Sequence, residues 1–221
     1  MSIEDYKTLI SVLPVGQQSF TTKRSTWRKA ENSKEIKWLA DMNQKLFDNR
    51  DELTISRQDI FDTKNSIREL TLKTIYWGYE GGMRGNHFVN ILEKILKLET
   101  TFEELKGKEN LTSSDFDNLT KTLKGISGIG LSTYSKLLYF LKIKFNNNPC
   151  LILDQKLINV FNSKFYDEYL PLGKINDYNK EEKYLPFLEI TNKISLRLGT
   201  KGENIEHFLF TFGNNLKLTN E

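Results

Sequence analysis

Two runs of apolar residues with helical spacing meet at a glycine turn, and this junction constrains the chain more than any other stretch. In the first run Phe116, Leu119 and Leu123 recur every three to four residues, behind an S-x-x-D pattern from Ser114 to Asp117 that predicts a helix start. In the second, Leu131, Tyr134, Leu137, Leu138 and Leu141 make a stripe broad enough for burial on two sides. Between them stands the segment Lys124-Gly125-Ile126-Ser127-Gly128-Ile129-Gly130. Two glycines flanking one apolar residue let the backbone turn sharply and approach another surface closely. The amides opening the next helix then point outward at its positive end. Such a turn binds a phosphate without a charged side chain, although a plain helix–helix connection needs only one of these glycines.

Helical spacing continues through most of the chain. Ser33 is a candidate cap for a helix carrying Ile36, Leu39, Ala40 and Phe47, with Asn43 as a polar exception on the apolar face. A second helix is expected over about Lys64–Trp77, stopping at "WGYEGGMRG". A third starts near Asn86 with Phe88, Val89, Leu92, Ile95 and Leu96 in one stripe. "FNNNP" breaks the helix after the glycine turn, because asparagines favour turns and proline disfavours helix in the residue before it. Beyond it, Leu157, Ile158 and Phe161 suggest a short helix just after Asp154. Tyr184, Leu188, Thr191, Ile194 and Leu198 make another, closed by Gly199. The last is Ile205–Phe212, with Ile205, Phe208, Leu209 and Phe212 inward. Strand-like alternation is scarce and there is no internal repeat. The reading is an all-α chain of about ten helices, arranged as one globular unit of two packed lobes.

Composition narrows the chemistry. Cys150 is the one cysteine and His87 and His207 the only histidines, which leaves no internal disulfide, no four-cysteine zinc site and no cysteine-ligated cluster. No metal and no cofactor is expected; carboxylates, lysines, hydroxyls and backbone amides must carry any reaction. A net charge of +3 leans only weakly toward polyanions. No apolar run approaches the roughly 20 residues that span a bilayer, and "MSIEDYKTLI" lacks a basic then apolar leader pattern, so a cytosolic protein without membrane contact is expected.

Leu123, Ile126, Gly128, Ile129 and Gly130, followed by a helix, a turn and "LILDQKL" around Asp154, resemble the helix-hairpin-helix DNA glycosylase superfamily over about residues 114–161. "TIYWGYEGGMRG", "STYSKLLYFL", "LILDQKLINVF" and "IEHFLFTFGN" are similar to the bacterial 8-oxoguanine DNA glycosylase-like branch, and extend the likeness over most of the chain. The resemblance implies a monomeric, nucleoid-associated enzyme of double-stranded DNA that flips a modified base into a cleft between two helical lobes. Gly128, Ile129 and Gly130 would grip the strand, and Asp154 would be the catalytic carboxylate. Breaking an N-glycosidic bond develops positive charge on the sugar, which a nearby carboxylate stabilises, or it orients a water. Asp154 also suits a helix cap before Gln155, and the two roles are compatible.

Bifunctional members of that superfamily carry a lysine two residues after the second glycine, where its amine forms a Schiff base with the sugar. Here that residue is Ser132, which read at face value makes the enzyme monofunctional and hydrolytic. Lys136 lies one helical turn on, on the same face, and precedes Asp154 by 18 residues. It is a base-reading residue, a displaced nucleophile or a solvated helix lysine. Tyr134 is a second departure, replacing a small residue. Ser132, Thr133 and Lys156 are candidate phosphate contacts. Arg84 is a candidate for entering the duplex, and Trp77, Tyr79, Phe208 and Phe210 for stacking on an extruded base. The modified base suggested by the likeness is 8-oxoguanine; a hypermodified base of the phage type is an alternative. So are a non-catalytic helix-hairpin-helix DNA-binding module and an all-α interaction protein.

Overall fold

The structure, a computed structural model, describes residues 1–63 and 66–216. The chain is all-α with two small antiparallel ribbons. A 3-10 turn at Ile3–Tyr6 runs into α1 (Lys7–Val12), and β1 (Ser19–Lys23) leads to α2 (Arg24–Glu31) and α3 (Trp38–Phe47). β2 (Glu52–Ser56) then returns beside β1, in register from Ser19 opposite Ser56 to Lys23 opposite Glu52. After it come α4 (Arg57–Phe61), α5 (Ile67–Gly78), α6 (His87–Glu93), α7 (Ile95–Lys106), α8 (Ser113–Lys124) and α9 (Leu131–Phe140). A hairpin of β3 (Lys144–Phe145) and β4 (Asn148–Pro149) precedes α10 (Gln155–Asn162), α11 (Lys180–Leu198) and α12 (Gly202–Phe212).

Several boundaries differ from the sequence expectation for physical reasons. The cap of α8 is Thr112, not Ser114: its hydroxyl accepts from the Asp115 amide, and the Asp115 carboxylate accepts from the Thr112 amide in return. Ser114 is already inside the helix, where a side chain has no orphan amide to cap. The stripe expected from Asn86 is broken at Lys94, which leaves helical geometry and separates α6 from α7; Leu96 consequently faces solvent at 69% exposure. Ser33 precedes a 3-10 turn and donates its hydroxyl to Glu35 instead of capping. Lys64, at the expected start of α5, lies outside the described residues; the described cap is Ser66, whose hydroxyl accepts from the Glu69 amide. Gly199 closes α11 in left-handed geometry, as its position suggested.

The core joins α2, α3, α5, α8 and α9. Trp27 stacks on Tyr76 with ring centroids 4.5 Å apart. Asn43, polar on an apolar face, is fully buried because it donates to Glu31 and accepts from the Tyr76 hydroxyl at 2.6 Å. α5 packs on α9 as the central helix pair. Tyr134, the bulky departure in the hairpin, is buried against Phe116, so α8 and α9 accommodate it by aromatic packing. Cys150 is buried beside Tyr184, and loss of hydration pushes its thiol up to about 12.

Candidate active site

Residues Leu151–Leu153, buried and without regular secondary structure, lead to the start of α10 and are anchored where the Leu153 amide donates to the Ser135 hydroxyl at 3.2 Å. Asp154 follows as the N-cap. Its Oδ1 accepts from the amides of Lys156 at 3.0 Å and Leu157 at 3.1 Å, satisfying two donors that the helix leaves open. Its Oδ2 is left facing Lys136, with 3.9 Å between oxygen and Nζ. The capping role and the availability of a carboxylate oxygen therefore coexist.

Lys136 is not a solvated helix lysine: its side chain is 4% exposed. Side chains of an α-helix lean toward its N-terminus, so the lysine stem runs back along α9. There Nζ donates to the Ser132 carbonyl at 2.9 Å and to its hydroxyl at 3.1 Å, and lies 5.3 Å from the centre of the Tyr79 ring. The amine of residue 136 thus sits against the side chain of Ser132, the position that a lysine occupies in the bifunctional members of the superfamily that the chain resembles.

Lys136 and Asp154 open onto a cleft of about 260 Å³. One wall is the segment from Trp77 to Gly82, and Phe20, Ile152 and Phe210 close other sides. Of the four aromatic candidates, Tyr79 and Phe210 line the cleft, and Trp77 forms its wall while remaining buried, its Nε1 donating to the Gln18 carbonyl. Phe208 does not belong to it. At 0% exposure it packs in the core against Tyr6, because two residues along α12 turn the side chain through roughly 200° from Phe210.

Arg57 and Glu206, not anticipated from the sequence, underlie the cleft as a fully buried ion pair. Nη1 and Nη2 of Arg57 donate to the two Glu206 oxygens at 2.7 Å and 3.2 Å, and its Nε donates to Gln18 Oε1. The guanidinium lies 5.3 Å from the Trp77 ring and 5.1 Å from the Tyr139 ring. No local pattern could have paired residues so far apart in sequence.

The two hairpin glycines do different things. Gly128 has φ +94°, and a Cβ there would stand 2.6 Å from Cβ of His87, so this glycine lets the turn lie against the start of α6. Gly130 is an extended N-cap with no side-chain cap bond, and a Cβ on it would meet nothing within 4 Å. Ile129 is buried and anchors the turn between them. The start of α9 is consequently open, with Ser132 half-buried beside it.

Thr133, expected as a phosphate donor, is buried instead, its hydroxyl 2.7 Å from the Tyr79 hydroxyl. Lys156 lies at the rim, its Nζ 4.0 Å over the Phe210 ring. Arg84 is exposed in the loop between α5 and α6 and is not among the residues lining the cleft. Among the described residues there is no group of three or more His, Cys, Asp or Glu able to hold a metal ion, and no helix is long and apolar enough to cross a membrane.

An all-α chain with a glycine hairpin between two helices, followed by a capping aspartate that faces a buried lysine, has the layout of a helix-hairpin-helix DNA glycosylase. Over residues 13–210 the sequence matches the family described as "putative 8-oxoguanine DNA glycosylase OGG-like protein", and the chain belongs to that family. The match runs from before β1 into α12 and includes every cleft residue named above. No curated protein and no solved structure matches the chain.

Proposed function

We propose that the cleft excises a modified base from double-stranded DNA, with an 8-oxoguanine-like purine as the substrate that the family description favours. The observation that carries this reading is the approach of Lys136 Nζ to Asp154 Oδ2, 3.9 Å apart at the cleft. Two opposite charges held away from water have a desolvation cost that simple phosphate binding does not require. The open start of α9 at Gly130 would hold a backbone phosphate beside the cleft, and the aromatic faces of Tyr79 and Phe210 would receive the extruded base.

In the chemistry that follows, Lys136 is the displaced nucleophile. As the carboxylate, Asp154 stabilises the positive charge developing on the sugar; it then takes a proton from the Lys136 ammonium and passes it to the base, which leaves with the electron pair of the glycosidic bond while the freed amine bonds to C1′. The C1′–O4′ bond opens as a second amine proton moves to O4′, which gives a protonated Schiff base; loss of a C2′ proton to the Asp154 carboxylate or water then expels the 3′ phosphate. Borohydride reduction during turnover on a duplex carrying 8-oxoguanine should trap a covalent protein–DNA adduct, and Lys136→Gln should abolish it.

Ser132 at the customary lysine position favours a second reading, hydrolysis by a water that Asp154 orients. Release of base with an intact abasic strand and no trapped adduct would establish that one. If no duplex in a panel that includes hypermodified bases loses its base, excision itself is the wrong reading, and a non-catalytic hairpin module takes its place.

A further inference from the structure

We propose that Gly78 and Tyr79 are positioning residues for the Lys136 amine, an assignment that rests on reading Lys136 as the reacting group. Gly78 ends α5, where glycine is disfavoured relative to alanine, and its φ does not lie in the left-handed range that would call for it. The sharp turn that follows is made further on, where Gly82 has φ +95°. What does require a glycine is the lysine. A Cβ on Gly78 would sit 2.9 Å from Cδ and 2.9 Å from Cε of Lys136, with Nζ at 3.9 Å, and these are its three nearest heavy atoms. This stem has no room to give, because its amine is already bonded to Ser132 and its side chain is buried.

Tyr79 closes the other side. Its ring faces Nζ at 5.3 Å and is itself held by the hydroxyl contact with Thr133 at 2.7 Å, which ties the end of α5 to the first turn of α9. The aliphatic stem lies in the notch left by Gly78, the ring covers the amine, and the amine faces Asp154. A lysine four residues beyond the usual place is thereby bent back to act near it. The signal is faint in the sequence, since "YWGYEGG" reads equally well as a helix stop.

The test uses the full chain and two independent readouts. The first is the Lys136 ¹³Cε resonance, assigned by its loss in Lys136→Gln. It should carry a ring-current shift in the wild type, move toward the value of a solvent lysine in Gly78→Ala, and shift less far in Thr133→Val, which frees the Tyr79 ring. Gly107→Ala is the control, because a Cβ there meets nothing nearer than 3.7 Å. The second is single-turnover base release, expected to fall by roughly tenfold or more in Gly78→Ala with duplex affinity unchanged, the pattern of a misplaced group and not of lost binding. A wild-type resonance and rate in Gly78→Ala would overturn the assignment. Should that variant fail to fold, an unshifted resonance in both Thr133→Val and Tyr79→Leu would overturn it equally. If the wild type releases no base, the excision reading fails, while the resonance still decides whether the notch positions the amine.

Discussion

Asp154 divides its carboxylate between fold and cleft: Oδ1 accepts from the Lys156 and Leu157 amides, and Oδ2 faces Lys136 Nζ at 3.9 Å. Asparagine is as good a cap as aspartate but carries no charge. Asp154→Asn therefore keeps the cap but removes the counter-charge of the buried Lys136 amine, and is expected to lose about 1 to 3 kcal/mol in urea denaturation. Its single-turnover base release should drop on the order of 10²-fold or more. Asp154→Ala should lose activity equally and about 1 kcal/mol more of stability than the asparagine variant, the worth of the cap. Full activity in the asparagine variant would remove Asp154 from the reaction.

Gly128 and Gly130 should separate stability from DNA binding. Alanine at 128 must adopt φ +94° and displace His87, and is expected to cost at least about 1 to 3 kcal/mol in a denaturant melt. Alanine at 130 meets no protein atom, so the fold should lose no more than about 1 kcal/mol. Its methyl group would nevertheless stand where a phosphate approaches the α9 amides. Fluorescence anisotropy against salt should show weaker duplex binding for Gly130→Ala in a protein that melts nearly as the wild type does.

The Arg57–Glu206 pair is 0% exposed on both sides. Glu206→Gln leaves a buried guanidinium without its counter-charge and is expected to destabilise the protein by about 3 to 5 kcal/mol. Replacing both partners, as in Arg57→Met with Glu206→Leu, removes the stranded charge and should recover most of that loss. A double variant no more stable than Glu206→Gln would mean that the pair holds the surrounding helices through its geometry and not through charge balance.

His207 makes stability depend on pH. Burial, with the Arg57 charge as a smaller cause, lowers its pKa from 6.5 to about 4, so the folded protein holds it neutral. Above pH 6.5 neither state binds the proton and its contribution is fully present. As pH falls toward 4 the unfolded chain takes up a proton that the folded one refuses, and stability falls by about 3 kcal/mol across that interval. The capping carboxylates are held low by their hydrogen bonds, Asp59 chiefly by Ser56 and Asp115 chiefly by the Thr112 amide, so their own losses come at the acid end. Urea midpoints at pH 7.5, 5.5 and 4.5 should decline in the wild type and be flatter in His207→Leu.

What the sequence made legible was local. The stripes on either side of the hairpin, the two glycines and the aspartate opening α10 are features of spacing within a few residues, and each appears in the structure where spacing placed it. What it hid was distant or a matter of direction. β1 and β2 pair across two intervening helices without a turn to announce them. Arg57 meets Glu206 from 149 residues away. Phe208 and Phe210 looked interchangeable as aromatics, yet the α12 stripe of Ile205, Phe208, Leu209 and Phe212 already marked Phe208 as inward-facing. The side of α9 that accepts Lys136 depends on a missing Cβ on another helix, which no periodicity along α9 records.

Cys150, buried beside Tyr184 with its thiol held near 12, gives the molecule a silent background for thiol chemistry. A single cysteine introduced on the exposed hairpin approach, such as Lys124→Cys, would take a spin label or dye without removal of the native cysteine. The motion of the turn against a duplex could then be followed in an otherwise unaltered chain.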